Sequence, residues 1–398
     1  MNVAGIVAEY NPFHNGHEYH IAETKKALGA DTPIICVMTG DFVQRGEAAV
    51  YSKYARAEAA ARCGADLVFE LPLPWAISSA EGFARGAVGL LASLGIVTHL
   101  SFGSECGEIK PLEALAFALL DPNIDGEIKA ELADGVSYAM ARQRALAHSV
   151  GELSTILDTP NNILAVEYIK AVYNLRVDIG LLTVPRFGAA HDGAGEDAFR
   201  SAAELRASMG AGKDISELMP QEAEAVYRRE RELGRGPLLM KKLEPMLLSR
   251  LRMLPDSAYN ALPDATEGLG NRLCAAAREE STWDAVLAAA KTKRYALARI
   301  RRMAMSACLG VTVGMNEGTP PYARLLAAND TGRSLLRDIT NRNRIPVVTK
   351  PATVRELSKE ALGIYNLGAS AHDLYVLAYS AGEERRGGAD WRTGPSIV

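Results

Sequence analysis

The chain has 398 residues, 48% of them hydrophobic, with 44 Lys and Arg against 48 Asp and Glu for a formal net charge of −4. That length exceeds a usual single core and predicts two domains, and the slightly acidic balance excludes a protein that holds nucleic acid by its global charge. No apolar segment approaches roughly 20 uncharged residues and Met1-Asn2-Val3 leads into a strand without a basic leader, so a cytoplasmic protein with no membrane span is expected.

Along residues 1–215, apolar runs alternate with helical periodicity, the pattern of a Rossmann-like α/β domain with a parallel sheet. Strands are predicted over Val3 to Glu9, Ile34 to Met38, Asp66 to Leu71, His99 to Phe102 and Ile179 to Val184. Helices are predicted over Glu18 to Leu28, Tyr54 to Cys63, Ala80 to Leu94, Pro111 to Leu120 and Asn162 to Tyr173, each with apolar residues three and four apart. Ligands of such sheets bind outside the carboxyl ends of the strands. Polar residues fall there: His14 after the first strand, Thr39-Gly40-Asp41 after the second, Gly103-Ser104-Glu105 after the fourth and Arg186 after the last.

From about residue 216 the strand patterns disappear. Charged amphipathic segments at Glu222 to Leu233, Leu238 to Met253, Glu279 to Ala290 and Arg294 to Leu309 predict a mainly α-helical domain over 216–380. Residues 225–310 carry 16 Lys and Arg against 9 Asp and Glu, a local positive excess inside an acidic chain. Lys291-Thr-Lys-Arg-Tyr295, with Arg299, Arg301 and Arg302, is its densest part, and Tyr295 could stack on a base; a solvated charged face is the plainer alternative. Ile345 to Lys350 reads as a short return strand or extended segment. The tail, 381–398, is rich in Gly and charge and is expected to be disordered. The five cysteines, Cys36, Cys63, Cys106, Cys274 and Cys308, are scattered and never form a C-x-x-C pair, so they read as small core residues.

The densest chemistry is His14-Asn15-Gly16-His17, followed by His20: three of seven histidines within seven residues. Asn11-Pro12 breaks the first strand, and Gly16 lets the backbone turn into a helix near His17. A helix N-terminus after a strand offers N–H groups and a positive dipole end to a nucleotide polyphosphate. Two imidazoles beside it could donate to charge building on an α-phosphate during displacement. Nucleotidyl transfer is therefore the first hypothesis. Two other readings stand beside it: a three-histidine metal site, though positions 14–16 lie in a turn and no carboxylate or cysteine cluster follows at ligand spacing, and histidines that merely cap a helix.

The whole stretch from Gly5 to His20 resembles the tRNA(Met) cytidine acetate ligase family, a branch of the H-x-G-H nucleotidyltransferase superfamily. Further matches follow in the family's order: Met38 to Glu47, Phe69-Glu-Leu-Pro72, Phe102-Gly-Ser-Glu105, Pro160-Asn-Asn-Ile163 and Lys291 to Tyr295. The resemblance implies ATP binding by Val7, Ala8, Glu9, Tyr10, Asn11, Pro12, Phe13, His14, Asn15, Gly16, His17, Glu18, Tyr19 and His20, with His14 and His17 catalytic. It adds Gly103, Asn161, Asn162 and Arg186 to the ATP site, with Gly103 against the adenine or ribose. On the residues alone, Gly103 could simply end a strand, one asparagine could cap a helix, and Arg186 could be a surface charge.

Superfamily members carry a second phosphate signature, here Ser201-Ala-Ala-Glu-Leu-Arg206, in which Ala203 replaces the expected hydroxyl; Ser201 and Arg206 carry over weakly. The resemblance further implies tRNA contact by Lys293, Arg294, Arg299 and Arg302, with His372 and Tyr375 of the closing helix as RNA-facing candidates. The implied reaction is adenylation of acetate by ATP and acetyl transfer to the wobble cytidine of elongator tRNA(Met). Mg²⁺ could accompany ATP, although no acidic pair marks a protein-held metal site. Alternatives are a small-molecule adenylyl- or cytidylyltransferase and a non-catalytic RNA-binding protein.

Overall fold

The computed structural model describes all residues except 134, 137, 187–199 and 293–294. Five strands fall where apolar, β-branched runs predicted them: β1 (Ala4–Ala8), β2 (Ile34–Thr39), β5 (Leu67–Leu71), β6 (His99–Ser104) and β7 (Gly180–Pro185). They run parallel in the order β5-β2-β1-β6-β7. Alternation along each strand feeds two cores, one on each face. Ile35 and Val37 of β2 join one core and Ile34, Cys36 and Met38 the other. The helices Asn15–Leu28 and Lys53–Arg62 cover one face, Ala80–Ser93 and Pro160–Leu175 the other. The sheet is thus doubly wound, and its winding reverses between β1 and β6, where ligands of such sheets bind.

The disappearance of strands after residue 216 does not hold. β8 (Ala323–Ala328) lies antiparallel beside β5, fully buried, and pairs in turn with β9 (Val347–Val348) and β10 (Ser396–Ile397). Its sequence, Ala-Arg-Leu-Leu-Ala-Ala, lacks the β-branched residues that signal strands, so tertiary burial overrides propensity. The tail expected to be disordered is folded as well. Two short 3₁₀ turns lead into β10, and Asp390 is 1% exposed. The composition that suggested disorder includes a charge held in a buried ion pair.

The helices do form a core of their own, built from Met240–Met253, Leu269–Glu279, Trp283–Ala290, Leu297–Leu309 and the end of Lys359–Val376. Val226 and Tyr227 of helix Gln221–Glu232 pack into a sheet core rather than into this one. A two-strand hairpin, β3 (Phe42–Val43) and β4 (Glu47–Ala48), leaves the end of β2 and inserts Phe42 and Ala48 into the helical core. At its tip Gly46, at φ 74°, lies so close to the Arg301 and Arg302 backbone that a Cβ would come within 2.7 Å. No helix among the described residues is long and apolar enough to cross a membrane.

Candidate active site

β1 ends at Ala8, and the chain turns through Tyr10, whose φ of 47° is uncommon for a residue other than glycine. The Tyr10 ring is buried against Phe13 and His17, with centroids 4.8 Å from each. Phe13 is fixed by its N–H, which donates to the Tyr227 hydroxyl at 2.9 Å. The chain therefore enters helix Asn15–Leu28 at a set angle, with His14 as N-cap.

His14 and His17 form a reciprocal cap. Gly16 N–H donates to His14 Nδ1 at 3.0 Å, and His14 N–H donates to His17 Nδ1 at 3.2 Å. With both Nδ1 atoms accepting, the proton of each neutral ring sits on Nε2. The rings lie 3.8 Å apart, so two Nε2–H donors stand side by side. Burial, with Arg186 and Arg206 nearby, pushes the His14 pKa down to about 3. Burial likewise depresses His17, helped by His14, Arg186 and His20. The pair are neutral donors at pH 7. The helix end is consequently not a bare nest of N–H groups, since His14 occupies part of it, and the two imidazoles present the donors instead.

His20 is the third. Thr24 Oγ1 donates to the His20 carbonyl, so it accepts from Ser101 Oγ at 2.7 Å, and Ser101 accepts from His20 Nε2 at 2.9 Å. This chain ties the helix to β6 across the reversal of the sheet. Burial and Arg186 lower the His20 pKa to about 4. Among the described residues no set of three His, Cys, Asp or Glu side chains could hold a metal ion. The Nδ1 atoms of His14 and His17 are taken by backbone N–H groups and Nε2 of His20 by Ser101, which leaves the Nε2 atoms of His14 and His17 to face a ligand.

Arg186 follows β7, its N–H bonded to the Ser104 carbonyl, and its aliphatic stem crosses Gly103, where a Cβ would sit 3.2 Å from Arg186 Cγ. Arg206 reaches the same turn and donates to the Asn11 carbonyl at 2.9 Å. Ser201, by contrast, caps helix Ala202–Gly210 and shares its hydroxyl with Glu204, while Ala203 is exposed. The missing hydroxyl would have faced solvent.

The two asparagines divide differently from the expectation that one caps a helix. Asn162 is buried, its Oδ1 accepting from the N–H groups of Glu105 and Cys106 and its Nδ2 donating to the Ile156 carbonyl. Glu105 receives the first turn of helix Pro160–Leu175 through Asn161, Asn162 N–H and Thr159 Oγ1. Burial opposes its ionisation, but these hydrogen bonds hold the Glu105 carboxyl below its ordinary range. The carboxylate of a distant loop thus does the capping.

Sequence reasoning missed a buried ionic cluster beside the site. Lys53 Nζ lies 2.9 Å from Glu70 and 2.6 Å from Asp390, and Arg324 lies 3.1 and 2.6 Å from the same two carboxylates. Tyr54 bridges Asp390 and Arg324. His372 Nδ1 donates to Asp41 at 2.8 Å, and Asp41 accepts Lys53 N–H. Burial opposes ionisation of Asp390 and Asp41. The cations Lys53 and Arg324 nonetheless hold Asp390 well below its ordinary range, and His372 and Lys53 lower Asp41. Arg56, fully buried, gathers the carbonyls of Glu9, Thr39, Gly40 and Tyr51 and so ties the ends of β1 and β2 together. The motifs containing Asp41 and Glu70 were visible in the sequence; their distant partners were not.

Two expectations for the RNA side change. His372 and Tyr375 are buried, Tyr375 donating to the Ala49 carbonyl, so neither faces outward. Tyr295 is also buried and donates to Glu267, with Arg299 over its ring at 4.9 Å. Arg299 reaches the Asp264 carbonyl and Thr266, and Arg302 the Asp264 carboxylate at 3.3 Å. Lys293 and Arg294 lie outside the described residues.

Paired neutral donors stand at the reversal of a doubly wound sheet, with Arg186 and Arg206 flanking them. The HIGH nucleotidyl transferase family model matches residues 1–390. The tRNA(Met) cytidine acetate ligase of Acetivibrio thermocellus is 36% identical with 98% of each chain covered, and that of Thermosipho africanus 34% identical over 100% of both. A crystal structure of Thermotoga maritima TmcAL bound with alpha-thio ATP superposes with a TM-score of 0.93 at 32% identity over 100% of both chains; the apo form I gives 0.94. The chain belongs to the tRNA(Met) cytidine acetate ligase family, a family of enzymes.

Proposed function

We propose that the chain joins acetate to ATP, releasing pyrophosphate, and transfers the acetyl group of the resulting acetyl-adenylate to N4 of the wobble cytidine of elongator tRNA(Met), giving N4-acetylcytidine. The observation that carries this reading is the pair of Nε2–H donors on His14 and His17. Acetate oxygen attacks the α-phosphorus, and the extra charge on the crowded phosphoryl oxygens is met by the two donors, which need no protonation change to act. Arg186 and Arg206 offer guanidinium forks to the phosphates. That the Thermotoga maritima relative was crystallised with alpha-thio ATP supports ATP as the co-substrate.

Gly103, which lets the Arg186 stem cross it, would bring that arginine against the base or ribose, and Asn161, whose Nδ2 is held by Glu105 while the side chain of its neighbour Asn162 is engaged through both Oδ1 and Nδ2, would be the asparagine that contacts nucleotide. Residues 1–215 would serve ATP and acetate, and the helical part of 216–380 would dock tRNA through Lys293, Arg294, Arg299 and Arg302, in the cytoplasm. Mg²⁺ would enter with the triphosphate, and no step is routed through a metal held by side chains. An anticodon-loop cytidine is single-stranded and can be splayed into a pocket at little cost. Exchange of labelled pyrophosphate into ATP tests the first half-reaction: it should require acetate, and exchange that proceeds equally without acetate would refute adenylation of acetate.

A further inference from the structure

The second half-reaction needs a group to receive a proton, because the attacking amine must lose one as its nitrogen bonds to the acetyl carbon. The residues at the carboxyl ends of the strands narrow the choice. His14 and His17 have both Nδ1 atoms engaged and carry their protons on Nε2, and His20 donates to Ser101. Asp41, Glu70 and Asp390 are locked in buried ion pairs. Both oxygens of Glu105 hold the helix beginning at Pro160. Glu9 differs from all of these.

Glu9 is the first residue past β1, one residue before the strained Tyr10. Its backbone carbonyl is gripped by Arg56, and its Oε1 accepts the Gln44 N–H at 2.9 Å, so the main chain and one carboxylate oxygen are both fixed. Among the described residues no hydrogen-bond donor meets Oε2 and no cation lies within ion-pair distance of the carboxylate. Glu9 is only half-buried, so that oxygen is within reach of a ligand. The setting is otherwise wrong for a carboxylate, since a shelf suited to ATP and acetate repels a further negative charge. A carboxylate there needs another use.

We propose, on the basis of the reading given above, that Glu9 is the proton acceptor for acetyl transfer. The N4 lone pair forms the N–C bond to the acetyl carbon. The bond from that carbon to the phosphate oxygen breaks, and its electron pair leaves on AMP. The N4 proton passes to Glu9 Oε2 and from there to water. The hairpin that holds Glu9 faces the helical side: Gly46 abuts the backbone at Arg301, and Glu47 pairs with Arg301 at 2.7 Å. An amine arriving past the helical side of the molecule would meet the hairpin that holds Glu9.

The groups around Glu9 are Arg45 on the hairpin, Arg56 on helix Lys53–Arg62, Arg206 on helix Ala202–Gly210 and Tyr168 on helix Pro160–Leu175. Burial raises the carboxyl above its ordinary value, although Gln44 N–H and the three arginines pull the other way. A raised carboxylate is a better base near neutral pH.

The test uses the full chain and Glu9→Gln, whose Oε1 can still accept from Gln44, with melting temperature as the check on folding. Single-turnover transfer from acetyl-adenylate to tRNA should slow about 100-fold, the lower range for a lost general base, and by far more than ATP–pyrophosphate exchange. The wild-type transfer rate should fall as pH drops through the Glu9 pKa and the base becomes protonated. That acid limb should be absent in Glu9→Gln, and Glu9→Asp should recover part of the rate. Equal losses in transfer and exchange, or undiminished transfer, would overturn the proposal. A wild-type chain that makes no acetyl-adenylate would overturn the reading it rests on, a result separable from any behaviour of the variant.

Discussion

His14 caps its helix through Nδ1 and presents Nε2–H to a ligand, so a substitution can remove the second role while keeping the first. Asparagine is among the best N-caps but lacks a donor at the Nε2 position. His14→Asn should therefore remain about as stable as the parent, whereas His14→Ala should lose about 1 kcal/mol of stability with the cap. Both should lower acetate-dependent pyrophosphate exchange by roughly 10²–10³, the range for one lost transition-state donor. Exchange surviving in His14→Asn would reduce His14 to a cap. The H-x-G-H spacing announced two histidines at a turn, but which nitrogen faces the ligand follows from two backbone hydrogen bonds that no spacing records. In the same way Asn161 and Asn162 were legible as a pair at a helix start, and only the hydrogen bonds of the Asn162 Oδ1 with the Glu105 and Cys106 N–H groups separate them.

Arg299 and Arg302, two of the four cations proposed to meet tRNA, lie on helix Leu297–Leu309 and also bolt it to the loop at Asp264. Affinity alone would mix these two roles. The salt dependence separates them, because only cations that neutralise phosphates release counter-ions. Alanine replacing Lys293, Arg294, Arg299 and Arg302 together should weaken tRNA binding and reduce the log–log salt slope by about one for every phosphate no longer neutralised. A weaker affinity at unchanged slope would assign the arginines to holding the loop. At this scale the five parallel strands were readable because buried strands are continuous apolar runs bounded by turns. β8 was not, because an alanine- and leucine-rich segment becomes a strand only beside β5, and β3, β4 and β10, of two residues each, are too short to carry a period, whereas β9 falls inside the Ile345 to Lys350 segment read as a short return strand.

The molecule is closed by its last residues. Asp390 meets Lys53 at the start of helix Lys53–Arg62 and Arg324 of β8, while β10 extends the sheet, so the chain's end locks segments far apart in sequence. Such a cluster is invisible to any local pattern, since its charges lie between Asp41 and Asp390 and each alone resembles a surface residue. Removing one partner leaves buried charges uncompensated, and Asp390→Asn should cost about 3–5 kcal/mol in denaturant unfolding. A loose tail would make it neutral. The cluster adjoins the turn at Thr39 to Asp41, where Gly40 has Glu70 where a Cβ would sit, so the lock also fixes one wall of the site. The full chain, incubated with ATP, labelled acetate and bulk tRNA, should put label into N4-acetylcytidine at the wobble position of elongator tRNA(Met), only when ATP is present. Label absent from the nucleosides, or incorporated equally without ATP, would contradict the account.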